Sequence, residues 1–142
     1  MCPSTSVRVS SSTIQRRHMG LIALWGLQVA LAALFFIAGG SKLAGAPAMV
    51  ALFDAIGVGQ WFRYVTGLIE VVSAVALLVP ALAPFGALLL VPTMIGAIVT
   101  HLFIVGGSPA FPALLLLGLL AVAWARRHPL LGALSARHNA GT

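Results

Sequence analysis

The chain has 142 residues, 61% of them hydrophobic and only 7% charged, whereas soluble domains carry about 25% charged residues. So few charges cannot coat a water-facing surface, and the solvent this sequence suits is lipid. Eight Lys and Arg stand against two acids, for a net charge of +6, but these bases sit at the edges of apolar runs, which fits anionic headgroups and topology control and argues against nucleic acid.

Residues 1–18 are rich in Ser and Thr and carry Arg8, Arg16, Arg17 and His18, the pattern of a disordered basic tail. Residues 19–41 form the first apolar run, and about 20 helical residues cross a hydrocarbon core of about 30 Å. A secretory leader is the rival reading, but its apolar core would be about 7–15 residues. Residues 44–60 are too broken to span. Within them Met49, Leu52, Phe53 and Ile56 share one helical face and Asp54 lies off it, which predicts a short interfacial helix opened by Pro47 and closed by Gly57. Trp61, Phe62, Arg63 and Tyr64 form an aromatic anchor at the membrane edge.

The second span is expected over 64–79, followed by a turn at 80–84 with Pro84 suited to open the next helix. The third covers 85–105 and contains Pro92, where a kink is expected. Gly106-Gly107-Ser108-Pro109 is a turn with Ser108 as cap, and the fourth span runs 110–125 to the basic stop Arg126-Arg127-His128. The expected fold is thus an all-α membrane protein, a four-helix transmembrane bundle over 19–128 with a short interfacial helix between the first and second spans, and a second tail at 129–142. With four spans, Arg8, Arg16, Arg17, Arg126, Arg127 and Arg137 fall on one face and Lys42 and Arg63 on the other. That bias places both termini in the cytoplasm of a multi-pass cell-membrane protein. Trp25 and Trp124 then both fall at the cytoplasmic interface.

Polar groups inside lipid are costly, so the few present are informative. Gln28, Ala32, Phe35, Gly39 and Lys42 align on the first span if its helix continues through Gly39-Gly40. Thr66, Glu70 and Ser73 align on the second, and Thr93, Gly96, Ala97, Thr100 and His101 on the third. The fourth span has no such stripe, which predicts three stripes buried against one another with an apolar scaffold beside them. Helical rise places Glu70 about 10 Å and His101 about 6 Å below the same surface, with Lys42 at the edge, where it can snorkel. Lys42, Glu70 and His101 are therefore expected to form a cluster, with Thr66 and Thr100 as further ligand-binding candidates. The bland alternative is an ion pair that only fixes helix register. Asp54 and Arg63 read as solvated interfacial charges.

Several chemistries are excluded. Cys2 is the single cysteine, so an internal disulfide, a CxxC pair and a cysteine-ligated cluster have no ligands. Bis-histidine haem needs two His at one depth, and His18, His128 and His138 belong to the face opposite His101. No set of three or four metal ligands, no phosphate-binding glycine loop and no Ser-His-Asp set is visible at membrane depth.

Gly39-Gly40-Ser41-Lys42-Leu43, Glu70, Gly96-Ala97-Ile98-Val99-Thr100-His101, Gly106-Gly107-Ser108-Pro109 and Arg126-Arg127 together resemble the DoxX-like family over roughly residues 24–127. The resemblance implies four spans with a Gly-x-x-Lys-Leu type element ending the first. The family takes its name from a small subunit of a thiosulfate:quinone oxidoreductase. The resemblance therefore implies a membrane subunit or small-molecule scaffold of a redox or oxidative-stress complex. Quinone is the cofactor it suggests, and a soluble oxidoreductase or a homo-oligomer the partner. No cofactor is evident from the residues themselves. An oligomeric small-molecule transporter and a non-catalytic assembly scaffold remain open beside that reading.

Overall fold

The computed structural model describes residues 11–127, which fold into five helices joined by short turns. The first, α1 (Ser11–Leu43), contains no proline and passes unbroken through Gly39-Gly40. It begins inside the segment expected as a tail: residues 11–18 are helical, because once a long helix is nucleated each added residue gains a hydrogen bond at little cost. The rest of that tail and residues 128–142 lie outside the described residues. Gly45, at φ 72°, turns the chain into α2 (Pro47–Ile56), which has Pro47 in its first turn and the left-handed Gly57 as its cap, as the sequence predicts.

The aromatic anchor belongs to the first turn of α3 (Gln60–Leu78) and does not precede it. Next comes α4 (Ala83–Thr100), with Pro84 in its first turn, where the missing N–H costs nothing. It is not broken at Pro92. Its last turn widens into a π-helical turn, His101–Val105, closed by Gly106 at φ 68° with the Gly107 N–H on the His101 carbonyl. The Ser108 hydroxyl accepts the Ala110 N–H at 3.3 Å and starts α5 (Ala110–Ala125).

Among the described residues, three segments are long and apolar enough to cross a membrane: His18–Leu43, Gln60–Leu78 and Ala83–Val105; α5 is apolar but shorter. Large apolar side chains cover the outside, with Ile22, Ile37, Leu114 and Phe103 (81%) all exposed. A water-soluble surface does not carry apolar area on this scale, whereas a lipid-facing one needs it.

Around the core, α1 packs on α3, α3 on α4, α4 on α5, and α5 back on α1. Leu31, Phe35, Leu77, Leu90, Leu119 and Val122 fill the centre. Two crossings are set by glycine. At Gly39 a Cβ would lie 2.7 Å from the Gly67 carbonyl oxygen, and at Gly67 one would lie 3.0 Å from the Gly39 carbonyl. Backbones that approach this closely gain dispersion and Cα–H···O contacts where no hydrophobic effect is available to pair helices. Gly86 does the same for α4 against α3: a Cβ there would lie 2.9 Å from both the Ser73 carbonyl oxygen and the Ala76 Cβ.

These crossings correct one expectation. The stripes of α1 and α3 do bury against each other: Gln28, Ala32, Phe35, Glu70 and Ser73 are all buried. That of α4 instead faces a cavity, since the close α3–α4 contact lies near Gly86 and the gap opens towards the other end of α4. Replacing Gly39 or Gly67 by Val should destabilise the protein by about 1–3 kcal/mol through overpacking, measured by reversible unfolding in mixed micelles. Gly40→Ala, where nothing lies within 4 Å, should be neutral. Equal losses at Gly39 and Gly40 would mean that helix propensity, and not the crossing, is being measured.

Candidate functional site

The Gly39–Gly67 crossing sets Lys42 one turn beyond the contact on α1 and Glu70 one turn beyond it on α3. Their side chains meet at 2.6 Å, Nζ to Oε2, and are 14% and 4% exposed. Lys42 therefore does not reach outward to the headgroups. A carboxyl group so buried stays ionised only beside a cation, and Lys42 is the single lysine of the chain.

Arg63 is the residue misjudged from sequence. It is 4% exposed and not a solvated interfacial charge. Arg63, Gly67 and Glu70 recur at i, i+4, i+7, so Arg63 points to the same inner face as Glu70. This periodicity was available to find it. Its Nη1 donates to the Lys42 carbonyl, which also accepts the Gly45 N–H at 3.3 Å, at the end of α1 where the helix dipole favours a cation. Its Nε donates to Gln60 Oε1 at 2.7 Å, and its guanidinium stacks 4.3 Å from the centre of the Tyr64 ring. Gln60 Nε2 donates in turn to Asp54 Oδ1 at 2.7 Å and to the Val50 carbonyl at 3.0 Å. A continuous chain of hydrogen bonds thus runs from α2 through α3 to the end of α1. Asp54 itself is exposed.

Above the ion pair lies a cavity of about 630 Å³. Its walls come from all five helices and include Lys42, Thr66, Glu70, Thr93, Thr100 and His101. The apolar face of α2, with Met49, Leu52, Phe53 and Ile56, forms one side, and Phe53 is fastened edge-on to Phe62 at 5.9 Å. All five ligand-binding candidates therefore border one space. Ser73, on the same stripe as Glu70, does not; it lies in the core against α4.

The polar wall has a definite donor and acceptor pattern. Each threonine hydroxyl donates within its own helix: Thr66 to the Phe62 carbonyl at 3.0 Å, Thr93 to Leu90 at 2.6 Å and Thr100 to Gly96 at 2.9 Å. Toward the cavity the three therefore offer acceptors only. Lys42 spends one of its three protons on Glu70 and keeps two. His101 has a buried Nδ1 with no partner, and Gly107 folds against it, where a Cβ would come within 3.2 Å. The π-helical turn that aims the imidazole carries no periodic signal in the sequence.

Lys42→Met alone should destabilise the protein by about 3–5 kcal/mol, because it strands a buried charge. Adding Glu70→Leu should recover most of that loss in the same unfolding measurement. A double variant no more stable than the single one would show that the pair is not the linkage holding this crossing.

Residues 26–125, from within α1 to the end of α5, match the model of the DoxX-like family. No curated protein and no solved structure matches the chain.

Proposed function

Because the chain belongs to the DoxX-like family, and because Lys42, Thr66, Glu70, Thr93, Thr100 and His101 border one apolar cavity, we propose that it is a four-span membrane protein that binds a quinone-like small molecule as the membrane subunit or scaffold of a redox complex. The observation that carries this reading is the wall of that cavity: a mostly apolar space of about 630 Å³ with a few placed polar groups, the usual form of a small-molecule site. A quinone ring is apolar on its faces and carries carbonyl acceptors at opposite edges; its reduced form carries hydroxyl donors there. Lys42 has N–H groups to meet a carbonyl, the three threonines have lone pairs to meet a hydroxyl, and His101 can donate from one nitrogen and accept at the other. Glu70 holds Lys42 in place.

The residues hold no electron carrier of their own, so the redox chemistry in this proposal belongs to a partner protein. The test uses the purified protein in nanodiscs and a short-chain benzoquinone, with binding measured by calorimetry. We expect saturable binding that Lys42→Met/Glu70→Leu and His101→Leu each weaken about tenfold, the worth of about one hydrogen bond. Absence of saturable binding, or equal affinity in all three proteins, would remove the quinone from the proposal. Purification of the intact complex with its lipids then tests for an oxidoreductase partner.

The topology is part of the same proposal. With α5 as a fourth span, the two ends of the chain share one side, and the excess of bases there makes that side cytoplasmic. At about 1.5 Å per residue α5 is about 24 Å long, a little under the hydrocarbon thickness, which a bilayer accommodates by local thinning or by basic side chains reaching outward. In a Cys2→Ser background, Ser108→Cys should react with an impermeant thiol reagent from outside intact cells, and Ala81→Cys only after permeabilisation. The reverse labelling would overturn the orientation.

A further inference from the structure

At the end of the molecule remote from the cavity, α1, α3 and α5 are tied together by a second polar group. Gln28 is fully buried. Its Nε2 donates to the Leu77 carbonyl at 2.7 Å, near the end of α3. Its Oε1 accepts from Arg126 Nε at 3.2 Å and Nη2 at 2.9 Å. The guanidinium of Arg126 lies 5.6 Å from the centre of the Trp25 ring, and that of Arg127 lies 4.6 Å from the centre of Trp124. Both indoles remain partly exposed.

The charge count makes this arrangement unusual. The two acidic side chains of the whole sequence are Asp54 and Glu70, and both are occupied at the opposite end. Arg126 spends two of its five N–H groups on a neutral amide oxygen, and no carboxylate side chain is available for the others. Arg127 is exposed beside it. Arg126, fixed in direction by a buried glutamine, and Arg127, next to it in the chain, have guanidinium N–H groups to offer an oxyanion. The location selects the source of that anion. Because α5 is only 16 residues long, its basic end is drawn to the hydrocarbon boundary, the depth at which lipid phosphates lie, and exposed Trp side chains favour the same level.

We infer that Arg126 and Arg127, with Trp25 and Trp124, form a binding site for the phosphodiester headgroup of an anionic phospholipid, which locks the end of α5 onto α1 and α3. This site is separate from the cavity, and Trp25, Arg126 and Arg127 lie just outside the stretch that matches the family.

Native mass spectrometry from nanodiscs of phosphatidylcholine with a minor fraction of phosphatidylglycerol tests it. The wild-type protein should retain phosphatidylglycerol above its bulk proportion, and each arginine should account for roughly fivefold of that preference. Arg126→Gln/Arg127→Gln should retain lipids at the bulk ratio. Since Arg126 also holds Gln28, Arg127→Gln alone provides the variant that keeps the fold, and it should lose roughly fivefold. Phosphatidylglycerol should also raise the thermal midpoint of the wild type, while inorganic phosphate at a few millimolar should not. Undiminished preference in Arg127→Gln, no preference in the wild type, or an equal rise with inorganic phosphate would each overturn the lipid assignment.

Discussion

A chain with two acidic side chains and a lipid solvent cannot scatter its charges, and the pairing of Lys42 with Glu70 is the constraint around which the rest is arranged. A carboxylate placed about three turns into an apolar helix stays charged only with a cation at contact distance, and the Gly39–Gly67 crossing delivers one at 2.6 Å. Glycine is required on both helices because any Cβ would part the backbones and pull the ion pair open. The crossing thus fixes the register of α1 against α3, and with it the depth of every other polar group on those two helices.

The cavity follows from that register. Helix α3 is held tightly by α1 at one end and by α4 near Gly86 at the other, so α4 separates from the pair where its own polar stripe lies. Space lined by Thr93, Thr100 and His101 then faces the ion pair, and α2 lies along it with its apolar face inward. Arg63 joins these parts: it holds the Lys42 carbonyl at the end of α1 and, through Gln60, the chain of α2. A ligand in the cavity would therefore touch, directly or through one residue, every element at that end of the protein.

The two ends solve the same physical problem differently. One neutralises its charges with each other inside the protein, as Lys42 and Glu70 do. The other leaves Arg126 and Arg127 without acidic side chains and sets them beside indole rings, where the proposed lipid headgroup would supply the compensation. That contrast separates the candidate small-molecule cavity in one half from the proposed lipid contact in the other.

Much of this architecture is legible in the amino-acid sequence alone. The apolar runs, the amphipathic face of α2 with Pro47 and Gly57 at its ends, and the stripes through Gln28, Glu70 and His101 follow from hydrophobicity and the 3.6-residue period, which are local properties. So does membership of the DoxX-like family, carried by the order of short motifs. Tertiary structure alone decided whether a stripe meets another stripe or a cavity, because that depends on where two helices touch most closely, and Gly86 says nothing of this without its neighbours on α3. It also decided what holds Arg63: the i, i+4, i+7 spacing with Gly67 and Glu70 turns it inward, but only the end of α1, 21 residues away in sequence, supplies the carbonyl that receives it. The direction of the His101 ring, set by a π-helical turn and by the Gly107 backbone folded against it, likewise arises from packing and leaves no periodic trace in the residues themselves.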